Sequence, residues 1–219
     1  MGLTDPTTLS QWLQPHSIEW YIQLSDLQGK YSYSWQSTLV EPHGESIFDK
    51  EVMQMIANKK VLDVGCGHGQ FTNQCGLVAK EIIGFDVTDK FVKAGLEERK
   101  ANVSFVTGNS KEGFPFNRDA FDCAYIRKGP TSAYPALKKV VKRGGHILGL
   151  HPGDDSYKEL PYLFPNLFHN SVGTPILNTI QQRLDFSHFT SSMIEVITST
   201  EFLHSPLDIL KLRFANKIS

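Results

Sequence analysis

The run Val61-Leu62-Asp63-Val64-Gly65-Cys66-Gly67-His68-Gly69 constrains this chain more than any other stretch. It reads as a buried strand that ends in three alternating glycines, and the next segment, QFTNQCGLVA, reads as a helix. Glycine is needed there because the backbone bends sharply, often with positive φ, and because a Cβ would block a ligand. The opening turn of the helix then offers amide donors that no carbonyl uses. The spacing separates two kinds of ligand. A dinucleotide turn, G-x-G-x-x-G, would place its third glycine where Gln70 stands. The observed turn is G-x-G-x-G, with Asp63 two residues before it. A carboxylate there repels a pyrophosphate and attracts the ammonium group of a nucleoside that bears an amino acid, directly or through water. Gln70 and Asp63 together disfavour an NAD-dependent oxidoreductase.

The rhythm continues downstream. EIIGFDV, NVSFVTG, AFDCAYIR and HILGLH read as four further strands, with TDKFVKAGLEERK and SAYPALKKVVKRGG as helices between them. Thr88 is the expected cap of the first, and Gly144 and Gly145 the expected end of the second. Strands that alternate with helices in this way predict right-handed βαβ units and a parallel sheet. Upstream, SIFDKEVMQMIA (46–57) sets Ile47, Phe48, Val52, Met55 and Ile56 on one helical face. Residues 1–44 hold every Trp of the chain, and Asp5-Pro6 and Gln14-Pro15 look like helix-start or turn signals. Residues 151–186 break the rhythm with prolines and aromatics. MIEVITSTEFL (193–203) reads as another strand, and Ser205-Pro206-Leu207-Asp208 as a helix start.

Composition narrows the function classes. In 219 residues the formal net charge is -1, and charged residues make up 21%. A protein that grips many phosphates usually carries a basic excess, so nucleic acid is not favoured as a partner. Three cysteines, Cys66, Cys75 and Cys123, form no disulfide framework and no zinc pattern, and no metal site is expected. The opening MGLTDPTTLSQWLQ lacks the pattern of a secretory leader, and no apolar stretch is long enough for a membrane span. The expectation is a cytoplasmic protein, monomeric or homodimeric.

Taken in order, these segments resemble the core of class I S-adenosylmethionine-dependent methyltransferases over residues 60–150. VLDVGCGHG resembles the first motif, IIGFDVT the second, VSFVTGNS the third, FDCAYIRKG the fourth and LKKVVKRGGHILGL the fifth. The resemblance implies a doubly wound, mostly parallel seven-stranded α/β sheet with helices on both faces and an N-terminal helical lid. Beside it, the aromatic-rich residues 1–44 read as a lid and substrate segment, ahead of a methyltransferase domain at 45–219 with a substrate-loop insertion at about 151–186. S-adenosylmethionine is the implied cofactor, and S-adenosylhomocysteine the product. Asp63, Gly65, Cys66, Gly67 and Gly69 would hold the amino-acid end, and Asp86 and Val87 the ribose. Asn109 and Ser110 would meet the adenine, with Asn109 where an acidic residue is usual; its carbonyl oxygen can still accept. Arg127 completes the cofactor set.

Open α/β sheets bind ligands at the carboxyl ends of their strands. That makes His151 a candidate base, since its ordinary pKa lies near neutrality. Tyr31 and Tyr33 are candidates from the aromatic segment, and Trp35, Lys128 and Pro130 are candidate substrate contacts. Arg127 and Lys128 would suit an anionic acceptor. Neither the Asn/Asp-Pro-Pro-Tyr/Phe of amino-methylating enzymes nor a Pro-Cys for cytosine attack is present. The reading is methyl transfer to a small molecule. RNA or protein methylation, and a cofactor-binding module without catalysis, are the alternatives.

Overall fold

The computed structural model describes residues 10, 12–14, 17–97, 99–168 and 173–214; Asp5-Pro6 and Pro15 lie outside them. In chain order the elements are α1 (Ile18–Gln28), β1 (Ser37–Leu39), α2 (Gly44–Ile56), β2 (Lys60–Val64), α3 (Gln70–Cys75), β3 (Glu81–Asp86), α4 (Asp89–Glu97) and β4 (Val103–Thr107). They continue with β5 (Phe121–Arg127), α5 (Tyr134–Val140), β6 (Val141–Leu150), α6 (Leu160–Leu163), α7 (Pro175–Ser187), β7 (Glu201–Leu203) and α8 (Pro206–Phe214).

The main sheet is parallel, in the order β4-β3-β2-β5-β6. From β2 the chain builds outward to β3 and β4 on one side, then crosses back to β5 and β6 on the other. The order therefore reverses at the carboxyl end of β2, where the glycine turn lies, and such a reversal opens a crevice. β2 is buried on both faces, as its unbroken apolar run requires in a parallel sheet. Val61 packs with Phe48, Val52 and Ile56 of α2, while Leu62 and Val64 pack with Tyr134 and Leu137 of α5.

Three expectations need correction. The helix of 132–145 ends at Val140, and Val141–Leu150 is all strand. Two consecutive β-branched residues favour the switch, and the register shift between Phe121 and Cys123, with Gly144 at φ 79, absorbs the double glycine as a bulge. The main sheet has five strands among the described residues, not seven. Of 193–203, only Glu201–Leu203 is strand, and it pairs antiparallel with β1 rather than with the sheet. Apolar residues fall on both strand faces, Ile194 and Val196 on one and Met193 and Ile197 on the other, so the pattern singles out no face for the core. The 184–190 stretch does not supply the strand either. Leu177, Ile180 and Leu184 follow helical spacing, and α7 runs to Ser187, where His188 stops it in the left-handed region.

The β1–β7 ribbon ties the segment before α2 to the segment before α8. Val40 N donates to the Thr200 carbonyl at 2.9 Å, and Gln36 N donates to Asp208 Oδ1 at 3.0 Å. Ser205 caps α8, as its position suggested, and its hydroxyl also donates to Asp208 Oδ2 at 2.6 Å. No helix among the described residues is long and apolar enough to cross a membrane.

Candidate active site

The site grows from the turn between β2 and α3. Gly65, Gly67 and Gly69 all have positive φ, at 77°, 56° and 77°. Gly65 has a second constraint, because a Cβ there would lie 2.9 Å from Gly129 Cα and from Pro130 Cδ. The loops after β2 and β5 thus touch backbone to backbone, and only glycine permits it. Gly65 N donates to the Phe85 carbonyl at 2.8 Å, which pins the turn to β3.

Asp86, at the end of β3, faces this turn. Its Oδ2 accepts from Gly67 N at 2.9 Å and its Oδ1 from Thr88 N at 2.8 Å. The Thr88 hydroxyl and the Val87 backbone also hydrogen-bond to this carboxylate, which fixes it at the edge of the turn. Burial holds its pKa above the usual carboxylate range, against these hydrogen bonds. Val87 lines the same cleft.

Asp63 is more enclosed than the sequence suggested, at 2% exposure. Its Oδ2 accepts from Thr72 Oγ1 at 2.6 Å and from Tyr125 Oη at 2.8 Å. Burial pushes its pKa up to about 6, while the two hydroxyls pull it down and the charge of Asp86 adds to the rise. Asp63 therefore clamps α3 to β5 as well as facing the turn. Cys66 Sγ is held at the Gly67 carbonyl. Its thiol is raised well above its ordinary value by burial and by the charges of Asp63 and Asp86, so it stays protonated.

Asn109 follows β4. Its Oδ1 accepts from Lys111 N at 3.0 Å and its Nδ2 donates to Glu112 at 3.2 Å, which closes a local turn. Ser110 is buried, 3.5 Å from the Ser132 hydroxyl.

Arg127 and Lys128, at the end of β5, are not open cations. Arg127 Nε and Nη2 grip Asp49 at 2.8 and 3.0 Å, Nη2 also reaches Glu45 at 2.9 Å, and the guanidinium lies 4.9 Å from the Phe71 ring centroid. Lys128 pairs with Glu45 and lies over the Tyr33 ring, 5.6 Å from its centroid. The expected pull on an anionic acceptor meets charges already matched by α2.

The N-terminal aromatics lie over the glycine turn. Tyr31 N donates to His68 Nδ1 at 3.2 Å, and the Tyr31 ring meets Trp20, Tyr33 and Phe91 edge-on. Tyr33 and Trp35 stack with centroids 4.3 Å apart. Burial, with Tyr33 and Tyr21 nearby, keeps the Tyr31 phenol far above its ordinary pKa, so it stays protonated.

His151 follows β6, and its Nε2 lies 2.9 Å from Tyr134 Oη. Burial pulls its pKa down to about 4, well away from the near-neutral value that made it a candidate. Asp154 serves as a helix cap at a distance: its carboxylate accepts from Ile176 N at 2.8 Å and Leu177 N at 3.0 Å, at the start of α7. Among the described residues no group of His, Cys, Asp and Glu is arranged to hold a metal ion.

Sequence reasoning missed Thr72, Tyr125, Glu45, Asp49 and Tyr134. Tyr125 carried a usable signal, since a tyrosine inside a fully buried strand must find a partner for its hydroxyl. The rest are visible only once α2, α3 and α5 dock on the sheet.

A family model described as a methyltransferase domain matches residues 56–174. The chain is 24% identical to malonyl-acyl-carrier-protein O-methyltransferase of Paenibacillus sp. (strain JDR-2), over 80% of this chain and 71% of that protein. It is 27% identical to tRNA U34 carboxymethyltransferase of Pseudomonas paraeruginosa, over 52% of this chain but only 35% of that protein. A functionally unknown protein of Deinococcus radiodurans R1 shares the fold with a TM-score of 0.56 at 22% identity, covering 76% of this chain and 70% of that one. The fold and the glycine turn define a Rossmann-like nucleoside-binding enzyme. The chain belongs to the methyltransferase-domain family, and its cofactor is S-adenosylmethionine.

Proposed function

We propose that the chain methylates a small-molecule acceptor held between the strand ends and the N-terminal aromatic segment. The observation that carries this reading is the state of the two cations at the end of β5. Arg127 and Lys128 are both engaged with Glu45 and Asp49 of α2, which leaves little there to grip a polyanion. The tRNA-modifying relative offers limited support for an RNA substrate, because the likeness spans only about a third of it. The relative named for a malonyl group on an acyl-carrier protein matches over 71% of its length, and the malonyl group is the small-molecule-like part of that acceptor.

The residues fit the cofactor. The positive-φ turn leaves space above Gly67, where a Cβ would meet only Tyr31 Cβ at 3.7 Å. Asp86 is placed to accept the ribose hydroxyls, with Gly67 N and Thr88 N holding its carboxylate in position. Asn109 and Ser110 stand at the adenine end; Asp63, Gly65, Cys66 and Gly69 shape the methionine end, with Arg127 bracing the wall beside it. The bound cofactor supplies a sulfonium methyl that is already electrophilic. The protein's part is alignment and exclusion of water. Tyr31, Tyr33 and Trp35 form a roof that does both, and they make the segment 17–44 a lid. Trp35, Lys128 and Pro130 line the acceptor side. Three free thiols suit a reducing cytoplasmic setting.

The test is a labelled-methyl assay. The protein is incubated with deuteromethyl S-adenosylmethionine and, separately, a protein-free small-molecule extract and total RNA. Label in small products is expected; label in RNA alone overturns the reading.

A further inference from the structure

Asp63, Thr72, Tyr125 and Cys75 form a hydrogen-bonded cluster beneath the glycine turn. Asp63 of β2 and Tyr125 of β5 are direct partners in the parallel register, and with period two Val61 and Cys123 share their face. Tyr125 is fully buried, and Phe71 of α3 meets its ring edge-on at 5.7 Å, which fixes where the phenol points. Burial and the charge of Asp63 hold this phenol well above its ordinary pKa, so it keeps its proton.

That proton goes to Asp63 Oδ2 at 2.8 Å, because an ionised carboxylate is a stronger acceptor than the Cys75 sulfur 3.4 Å away. Thr72 Oγ1 donates to the same oxygen at 2.6 Å. Both hydroxyls therefore fall on Oδ2. Among the described residues no hydrogen bond reaches Oδ1. The nearby amides turn elsewhere: Gly65 N and Cys66 N to the Phe85 carbonyl, Gly67 N to Asp86, and Gly69 N to the Cys66 carbonyl. Asp63 nevertheless lines the cleft at that turn. A buried carboxylate with one oxygen anchored and the other unfilled is incomplete until a donor enters from the cleft.

We propose that Tyr125 and Thr72 are positioning residues for the cofactor: they hold Asp63 by Oδ2 and so leave Oδ1 to the ammonium group of the cofactor's methionine end. This rests on the reading of Asp63 as part of the methionine end and adds what sets that carboxylate. The two hydroxyls act in two ways. They stop the side chain from rotating Oδ1 away from the cleft. They also favour the charged form against burial, the largest influence, and against the charge of Asp86; Arg127 favours the charged form as well. Cys66 and Cys75, the other titratable groups facing it, are thiols kept protonated by burial.

Calorimetry with two probes tests this: S-adenosylhomocysteine, which carries the amino-acid end, and 5′-methylthioadenosine, which lacks it. Tyr125→Phe and Thr72→Val should each weaken S-adenosylhomocysteine about tenfold at pH 7, the effect of losing one hydrogen bond to a charged group. Their affinity for methylthioadenosine should be unchanged, and Thr72→Ser, which keeps a hydroxyl, should bind both probes as wild type does. The ratio of wild-type to variant affinity should shrink between pH 6.5 and 8.5, because the variant's carboxyl regains its charge as pH rises. Titration of the ligand's own amine is common to both proteins and cancels in the ratio. In an Asp63→Asn background, Tyr125→Phe should have no further effect. Urea unfolding checks that each variant folds; where Tyr125→Phe does not, Thr72→Val against Thr72→Ser decides alone. Equal weakening of the two probes, a ratio that ignores pH, or a further loss in the Asp63→Asn background overturns the assignment. No binding of S-adenosylhomocysteine by wild type, or full affinity of Asp63→Asn for it, overturns the reading of Asp63 and this assignment with it. Weak binding by Asp63→Asn with wild-type affinity in Tyr125→Phe and Thr72→Val overturns this assignment alone.

Discussion

Asp63→Asn should stabilise the protein at neutral pH while weakening cofactor binding. The carboxyl titrates at 3.8 when free and at about 6 in the fold. At about 1.4 kcal/mol per pH unit, that difference corresponds to roughly 3 kcal/mol of destabilisation when the group is ionised at pH 7. Asparagine keeps an oxygen for the Thr72 and Tyr125 hydroxyls and removes the charge, so the gain should be roughly 1–3 kcal/mol. The sign follows from proton binding. Between pH 3.8 and about 6 the folded state holds a proton that the unfolded chain has lost, so this group's stabilisation is full below 3.8 and disappears as pH rises through 6. His151 works in the opposite direction. Its pKa falls from 6.5 to about 4 on folding, so its contribution is present above 6.5 and is lost as pH falls toward 4. The informative quantity is therefore the difference between variant and wild type, measured by urea unfolding at pH 4 and pH 7.5. The variant's advantage should be large at 7.5 and small at 4. A variant less stable at 7.5, or a difference that ignores pH, refutes the reasoning.

Arg127→Ala should destabilise the fold by roughly 2 kcal/mol, since it removes charged hydrogen bonds to Asp49 and Glu45; thermal unfolding checks this. Gly65→Ala forces a Cβ within 2.9 Å of Gly129 Cα and should abolish cofactor binding in calorimetry even where circular dichroism shows a folded chain. Asp154→Ala should cost about 1 kcal/mol as a lost helix cap and expose α7 to limited proteolysis, with cofactor affinity unchanged. His151 should show no ring titration between pH 5.5 and 8.5 by NMR, because burial holds it near 4.

The parallel core was legible because β2 to β5 and the second half of β6 are mostly apolar runs bounded by glycine or polar residues, and short crossovers leave little topological freedom. The positions of the glycine turn and of Asp86 were legible for the same reason: they are set by backbone conformation and by the end of a strand. The second half was not legible. Residues 193–203 are apolar enough for a strand, but whether they pair depends on which edge is free, and the ribbon with β1 joins segments more than 160 residues apart. Charge roles were misjudged on the same grounds. Arg127 and Lys128 look free in a linear reading, and only the docking of α2 brings Glu45 and Asp49 to them. His151 looked like a neutral-range base because burial by α5 has no signature in its neighbours along the chain.

The central claim is that the turn at Gly65–Gly69 and Asp86 hold S-adenosylmethionine. Calorimetric titration of wild type and Asp86→Ala with S-adenosylhomocysteine and with NAD tests it most directly. The account predicts binding of S-adenosylhomocysteine to wild type, at least tenfold weaker binding to Asp86→Ala, and no binding of NAD. Binding of NAD, or equal affinity of wild type and Asp86→Ala for S-adenosylhomocysteine, would contradict it.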